Sequence, residues 1–490
     1  MNLYIDNTTG LLNEYFFQML CLIYFHGEKF PRNPVASENS VYFSLDKQNN
    51  SFVSEVTVET SGKKTIARAA VSSEDMLGEK SEPSVVATAC GKAYLEACEK
   101  HFGFLPPWGL LTGIRPTKRA LQYLENGFNE EQVTDIFSKD FFVQRNKSDM
   151  CITIIKKQHN ILQSINENDC SLYIAIPFCP TRCQYCSFVS YSGPKLFALI
   201  PDYIEKLITD IKETAKLIEK CGLKLISVYI GGGTPTILTH EQIALITGCV
   251  AENFDMSHVR EFTLEAGRPD TITSEKLIAA KSNGVTRVSI NPQTLNENIL
   301  KNMGRSHTVK QFFDAFEIAR NLDFTVNTDL IAALPGDTVD GFINTLEQII
   351  KLNPDNITVH TLSFKNAAIL RADNYTSDPK GNLANRSVDY AAERLPGFGY
   401  SPYYLYRQKN TAGNAENCGY AKDGKESLYN ILMMEDSNTV FGCGASAMTK
   451  IVQGTKIERF AFPKYPYEYL NPLQNSIFED EILKLICKGN

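Results

Sequence analysis

The chain of 490 residues is poor in the features that announce several protein classes. It has no basic excess: 49 Lys and Arg stand against 56 Asp and Glu, a formal net charge of −7. That argues against a dedicated nucleic-acid binder. It shows no membrane span: the apolar stretch Tyr15 to Tyr24 is too short to cross a bilayer and reads as a buried helix. The opening MNLYIDNTTG lacks the basic region of a signal peptide. The thirteen cysteines are odd in number and scattered, with no disulfide framework, which fits a reducing cytoplasm where thiols stay free or hold metal. Tryptophan occurs once, at Trp108, and none of the seven histidines forms a haem-binding motif. The turn GGGTPT (231–236) lacks the lysine of a phosphate loop, so nucleoside triphosphate binding is not its reading. The remaining composition is ordinary for a globular chain, long enough for two or three domains.

Against these absences stands IPFCPTRCQYCSF, where Cys179, Cys183 and Cys186 follow a C-x3-C-x2-C spacing. Three thiolates this close can hold one corner of a cubane iron–sulfur cluster, most of which take four cysteines. Only three are local here; the nearest others are Cys170 and Cys221. A fourth iron left open is a place for chemistry. The competing reading is structural zinc, but zinc wants four ligands, commonly in two spaced pairs, and no second C-x2-C or H-x3-H follows.

The chain divides into three expected parts. Residues 1–165 form an N-terminal α+β domain, with half-buried strands at 41–45, 52–59 and 64–71 and helices at 83–101 and from Pro116 to about Glu125. Arg115, Lys118 and Arg119 make a positive corner there, read as a solvated helix start or as a contact for substrate carboxylates. Residues 166–397 alternate six apolar strands (172–177, 225–230, 261–266, 286–290, 324–331, 356–360) with amphipathic helices. Six βα units fall short of the eight of a full barrel, which predicts an open (βα)6 partial barrel of TIM type. Residues 398–490 form a C-terminal α+β extension covering the barrel mouth.

Working residues of a βα barrel sit at the C-terminal ends of its strands. There the chain places the cysteine loop, Gly231 to Gly233, Glu265, Gln293, Asp329 and His360. Glycines without Cβ let the backbone approach a ligand and offer N–H groups. Glu265 and Asp329 could accept from an amine or from ribose hydroxyls; a salt bridge at the barrel mouth is the alternative. In the extension, Tyr403, Tyr404, Tyr406 and Arg407 suit a flat macrocycle with carboxylates, or form a plain edge strand.

These residues resemble the radical S-adenosylmethionine (SAM) superfamily, whose signature is C-x3-C-x2-C with an aromatic before the last cysteine, here Tyr185. YIAIPFC and GGGTPT look like its oxygen-independent coproporphyrinogen III oxidase branch. PWGLLTGIRPTK and YYLYRQKN look like the HemZ subgroup of that branch. The resemblance implies that Cys179, Cys183 and Cys186 bind a [4Fe-4S] cluster whose fourth iron is chelated by S-adenosyl-L-methionine. Reduction then cleaves the cofactor to a 5′-deoxyadenosyl radical. It further implies cofactor contacts at Tyr173, Tyr185, Gly232, Gly233, Thr234, Glu265, Gln293, Arg305 and Asp329, with looser matches at His360, Thr361 and Met448. A tetrapyrrole substrate and a reductant such as flavodoxin or ferredoxin would complete the system. One departure stands out. The decarboxylating oxidases carry a further cysteine two residues after the last cluster ligand, where this chain has Phe188. Haem-chaperone members lack that cysteine too. The resemblance therefore implies decarboxylation of coproporphyrinogen III to protoporphyrinogen IX, a haem chaperone, or another haem-modifying radical enzyme.

Overall fold

Four strands open the chain: β1 (Asn2–Asp6), β2 (Asn39–Gln48), β3 (Ser51–Thr60) and β4 (Lys63–Ser72). The computed structural model describes residues 1–490 except 7–8, 26–27, 34, 36, 114, 187, 189, 365–367, 371–380, 409, 472–477 and 487–490. The four strands form one sheet in sequence order, β1 parallel to β2 and the rest antiparallel. Period-two alternation puts Val41, Phe43, Leu45, Val56, Val58, Ala67 and Ala69 in an apolar core shared with helices Glu14–Tyr24 and Glu82–Phe102. β1 escapes the sequence reading because it is five residues long and stands alone at the start.

Three helices follow: Pro116–Glu125, Glu130–Lys139 and Arg145–Gln163. Their buried side chains, Phe137 and Ile154 among them, belong to the core of the next sheet, which also takes in Trp108.

That second sheet is built on β5 (Asp169–Ile176), β6 (Lys224–Gly232), β7 (Glu261–Glu265), β8 (Arg287–Ser289), β9 (Thr325–Ala332) and β10 (Asn356–Thr361), parallel neighbours in chain order. Helices return between them at 200–220, 240–253, 274–282, 309–321 and 339–352, with a last one at 382–394. Local capping fixes their starts. Thr239 with Gln242, and Thr308 with Gln311, form reciprocal capping boxes.

The C-terminal strands are β11 (Ser401–Tyr406), β12 (Asn417–Ala421), β13 (Thr439–Cys443), β14 (Met448–Gln453) and β15 (Lys456–Ala461). The sheet order is β11-β12-β10-β9-β8-β7-β6-β5-β13-β14-β15. The extension thus widens the sheet at both edges: β12 runs antiparallel to β10, and β13 runs parallel to β5. β11 and β15 are the two edges, so the strands form an open α/β sheet of the partial-barrel kind. No described helix is long and apolar enough to cross a membrane.

Candidate active site

The cysteine loop leaves β5 and is tied back on itself: the Tyr191 N–H donates to Pro177 O (2.8 Å) and the Cys179 N–H to Tyr191 O (2.9 Å). The Cys186 N–H donates to Cys183 O (3.1 Å), turning the CQYC segment. Gln184 is held by the next layer, its N–H on Met303 O (3.0 Å).

The glycine turn at the end of β6 lies against this loop. Gly233 donates to Ile176 O and Thr234 to Phe178 O, both at 2.8 Å. A Cβ on Gly233 would stand 2.6 Å from Phe178 O, and Gly232 has φ +107°. The Gly232 N–H reaches Glu265 Oε2 at 3.3 Å. The Gly232 and Gly233 N–H groups are thus engaged within the protein, and the missing Cβ atoms let two loops touch. Thr234, expected as a cofactor contact, donates through its hydroxyl to Cys179 Sγ (3.3 Å).

Each following strand adds polar groups at the same end. Glu265 closes β7. Burial, then the charge of Asp329, pushes it up to about 8, against the hydrogen bond from Gly232. After β8, Gln293 takes φ +67° and rejoins the sheet, donating from N to Asp329 O (3.1 Å) and accepting from Ile331 N (3.0 Å). Its side-chain Oε1 is buried without a protein partner. On β9, Asp329 accepts from Asn291 Nδ2 (2.9 Å) and faces His360 Nε2 across 3.7 Å. His360 Nδ1 meets the Tyr406 hydroxyl at 3.2 Å. Arg305 is 6% exposed and its donors are engaged: Tyr185 Oη (3.1 Å), Gly267 O (2.7 Å), Asn291 O (2.6 Å) and His307 Nδ1 (3.3 Å). Burial and the Arg305 charge hold the His307 imidazole down at about 3.

One cavity of about 370 Å³ gathers these groups, within the usual range for a small-molecule site. Cys179, Cys183, Cys186, Tyr185, Gly232, Gly233, Thr234, Glu265, Gln293, Arg305 and Asp329 line it, as do His360 and Thr361. The wall contributed by Tyr229, Tyr404, Tyr406 and Met434 is largely aromatic and apolar. Tyr173 is not at the wall; its ring stacks at 6.3 Å on Tyr229 and on Tyr429.

Several expected groups lie elsewhere. Arg115 and Lys118 pair with Asp436, and Arg119 with Glu79, so the positive corner is internal ion pairing. Tyr403 is buried and its hydroxyl accepts from Asn356 Nδ2 (2.7 Å). Arg407 stacks over Trp108 at 5.3 Å and donates to Leu111 O and Asn414 Oδ1. Met448 is exposed on β14, off the cavity. Sequence reasoning missed the wall residues Tyr229 and Met434, and two polar residues besides. Arg268 donates toward Cys183 Sγ, and Asn291 clamps Asp329. Their one signal is position, directly after the ends of β7 and β8.

The donor set suits an iron–sulfur cluster. Three soft thiols share one wall, and two of their sulfurs already receive hydrogen bonds, from Thr234 and Arg268. Among the described residues no three His, Cys, Asp or Glu converge on a single metal ion; in a cubane each thiolate holds a different iron. The unpartnered Gln293 Oε1 and the enclosed Glu265 leave acceptors for a ligand's amine or hydroxyl groups.

Comparison with known proteins agrees with this arrangement. The radical SAM superfamily model matches residues 173–349. The chain is 36% identical over 400 residues to the oxygen-independent coproporphyrinogen-III oxidase-like protein HemZ of Bacillus subtilis (strain 168), 80% of this chain and 79% of that protein. It is 30% identical over 317 residues to the heme chaperone HemW of Lactococcus lactis subsp. lactis (strain IL1403), 64% of this chain and 78% of that one. Among solved structures, coproporphyrinogen III oxidase (HemN) from Escherichia coli, described as a radical SAM enzyme, aligns with a TM-score of 0.52 at 22% identity, covering 67% of this chain and 79% of that chain. At that identity the match speaks for the fold.

Proposed function

The chain belongs to the radical SAM superfamily, and from that premise we propose that it is a cytoplasmic enzyme acting on a tetrapyrrole in haem biosynthesis. The reaction is the anaerobic oxidative decarboxylation of coproporphyrinogen III, turning two propionates into vinyl groups. The family's [4Fe-4S] cluster and SAM supply a carbon radical that removes hydrogen from an unactivated carbon. The chain's own residues hold these parts. Cys179, Cys183 and Cys186 would hold the cluster. Glu265 on β7, Gln293 after β8 and Asp329 on β9 would orient SAM, and the well-tied Arg305 and Tyr185 would form a rigid floor. A flavodoxin- or ferredoxin-type reductant would deliver the electron.

The observation that carries the reading is the composition of the cavity. Its cysteine wall faces the same space as Tyr229, Tyr404, Tyr406 and Met434, surfaces suited to the apolar pyrrole faces of a macrocycle. A second reading, a haem chaperone, is favoured by two particular residues. Phe188 stands where the decarboxylating oxidases have a cysteine, and His360 reaches the cavity wall beside Tyr406. Anaerobic incubation of the reconstituted protein with coproporphyrinogen III, SAM and a low-potential reductant tests the first reading. Loss from the substrate of one carbon dioxide and two hydrogens at each of two propionates is the expected result. An unaltered substrate together with stoichiometric haem binding would select the chaperone.

A further inference from the structure

Arg268 is 4% exposed, yet it is not a core residue. It sits three residues after Glu265, in the segment EAGRPD, and turns its guanidinium to the cysteine loop. NH1 donates to Thr181 Oγ1 at 3.0 Å and lies 3.9 Å from Cys183 Sγ, within reach of an N–H···S hydrogen bond. Its other edge makes a two-pronged pair with Asp270, Nε on Oδ1 and NH2 on Oδ2, each at 3.2 Å. NH2 also donates to Ser306 Oγ at 2.9 Å, and that hydroxyl donates to Asp270 Oδ2 at 2.8 Å. One buried cation therefore joins the cysteine loop, the turn after β7 and the segment that carries Arg305.

We infer that Arg268, balanced by Asp270, is a positioning residue that sets the reduction potential of the cluster held by Cys179, Cys183 and Cys186. This inference rests on family membership and not on the tetrapyrrole reading. The physical basis is electrostatic. One-electron reduction adds a negative charge to the cluster, spread partly over its thiolate sulfurs. A hydrogen bond from a guanidinium to one sulfur stabilises that added charge and raises the potential. Burial keeps the effect strong, because little water screens it. Asp270 works in the opposite direction, since its carboxylate offsets part of the cation's field. The two residues form a pair whose balance, not its presence alone, fixes the outcome. Cys179 is met by neutral hydroxyls, those of Thr234 and Ser190, and feels the Arg268 charge only at longer range, so the field at the thiolates is uneven.

The test is potentiometric titration of the anaerobically reconstituted full-length protein, followed by electron paramagnetic resonance, after iron and sulfide content are measured. Arg268→Gln should lower the midpoint. At the potential where the unmodified protein is half reduced, the ratio of reduced to oxidised cluster should fall about tenfold, equivalent to 59 mV for a one-electron couple. Asp270→Asn should move the midpoint the other way. Arg268→Lys, which keeps the charge and loses the fork, should fall between Arg268→Gln and the unmodified protein. Opposite shifts in the glutamine and asparagine variants support the inference, because a purely mechanical clamp would move neither or both alike. Unchanged midpoints, or shifts of the same sign, overturn it. Should Arg268→Gln fail to load iron, Asp270→Asn decides alone: an upward shift supports the inference and an unchanged midpoint overturns it.

Discussion

Glu265 is the most electrostatically unusual carboxyl of the cavity. An acid held near 8 in the fold and near 4.5 when unfolded binds its proton more tightly in the native state. Its contribution is therefore fully present below about pH 4.5 and is lost as pH rises toward 8. In protein free of cluster and SAM, stability should fall by roughly 2–4 kcal/mol from this group between pH 5 and 8. Glu265→Gln should flatten that slope, measured by urea unfolding at several pH values; an equally steep slope in the variant would place the cause elsewhere. At the same scale, replacing Cys179, Cys183 and Cys186 together with alanine should abolish the brown cluster absorbance and the bound iron. Asp329→Ala should leave iron in place while weakening SAM binding by about tenfold or more, read by calorimetry, since it loses a charged partner at the cavity. The cysteine loop is legible in the sequence because its meaning is local, a spacing of three and two. Arg268 and Asn291 are not legible, because their partners, Cys183 and Asp329, are distant in sequence and only folding brings them near.

Among the elements, the turn after β6 is the most constrained. A methyl group on Gly233 would meet the Phe178 and Ile176 carbonyl oxygens at 2.6 and 2.8 Å, both backbone atoms that cannot swing away. Gly233→Ala should therefore displace the start of the cysteine loop. The expected cost is about 1–3 kcal/mol, with reduced iron retention after desalting. The parallel strands β5 to β10 are readable because short β-rich segments alternate with helices, and the main helices between β6 and β10 open on threonine caps at Thr239, Thr273, Thr308 and Thr338. The C-terminal strands are harder. β11 carries tyrosines that read equally well as a ligand surface. Tyr403 and Tyr404 share a small separate core against which Tyr406 packs, and of the three Tyr404 and Tyr406 also line the cavity. No local pattern in residues 439–443 says that they pair beside a strand near residue 170 rather than beside their sequence neighbours.

For the whole molecule, a buried ionic cluster is among the ties that join the parts. Lys147 is fully enclosed, with Nζ 2.7 Å from Asp389 and 2.5 Å from Glu416, while Trp108 Nε1 donates to the second Glu416 oxygen at 2.8 Å. Burial alone would push the lysine down, but its two carboxylates hold it above its ordinary value. The cluster ties the helices after the first sheet to the strand entering the cavity wall, where Thr361 donates to Glu416 O and Asn417 holds the Thr361 N–H. Lys147→Met would strand two carboxylates and should cost about 3–5 kcal/mol in thermal unfolding. Adding Glu416→Gln to it should cost less than the two changes separately, since they share one partner.

The pairing of β5 with β13 has a temporal side. During synthesis β5 leaves the ribosome about 270 residues before its neighbour at Thr439–Cys443. At roughly 5–20 residues per second, that edge waits on the order of 15–50 s. Through that interval an apolar strand leading into the three-cysteine loop shows open backbone to any passing sheet edge, the situation in which nascent chains aggregate. Ribosome-bound chains ending near residue 430 should therefore remain protease-sensitive around β5, and the released full-length chain should not. The order of assembly then guards the metal site: iron that arrives before the tail has emerged meets a loop whose strand is paired on one side alone.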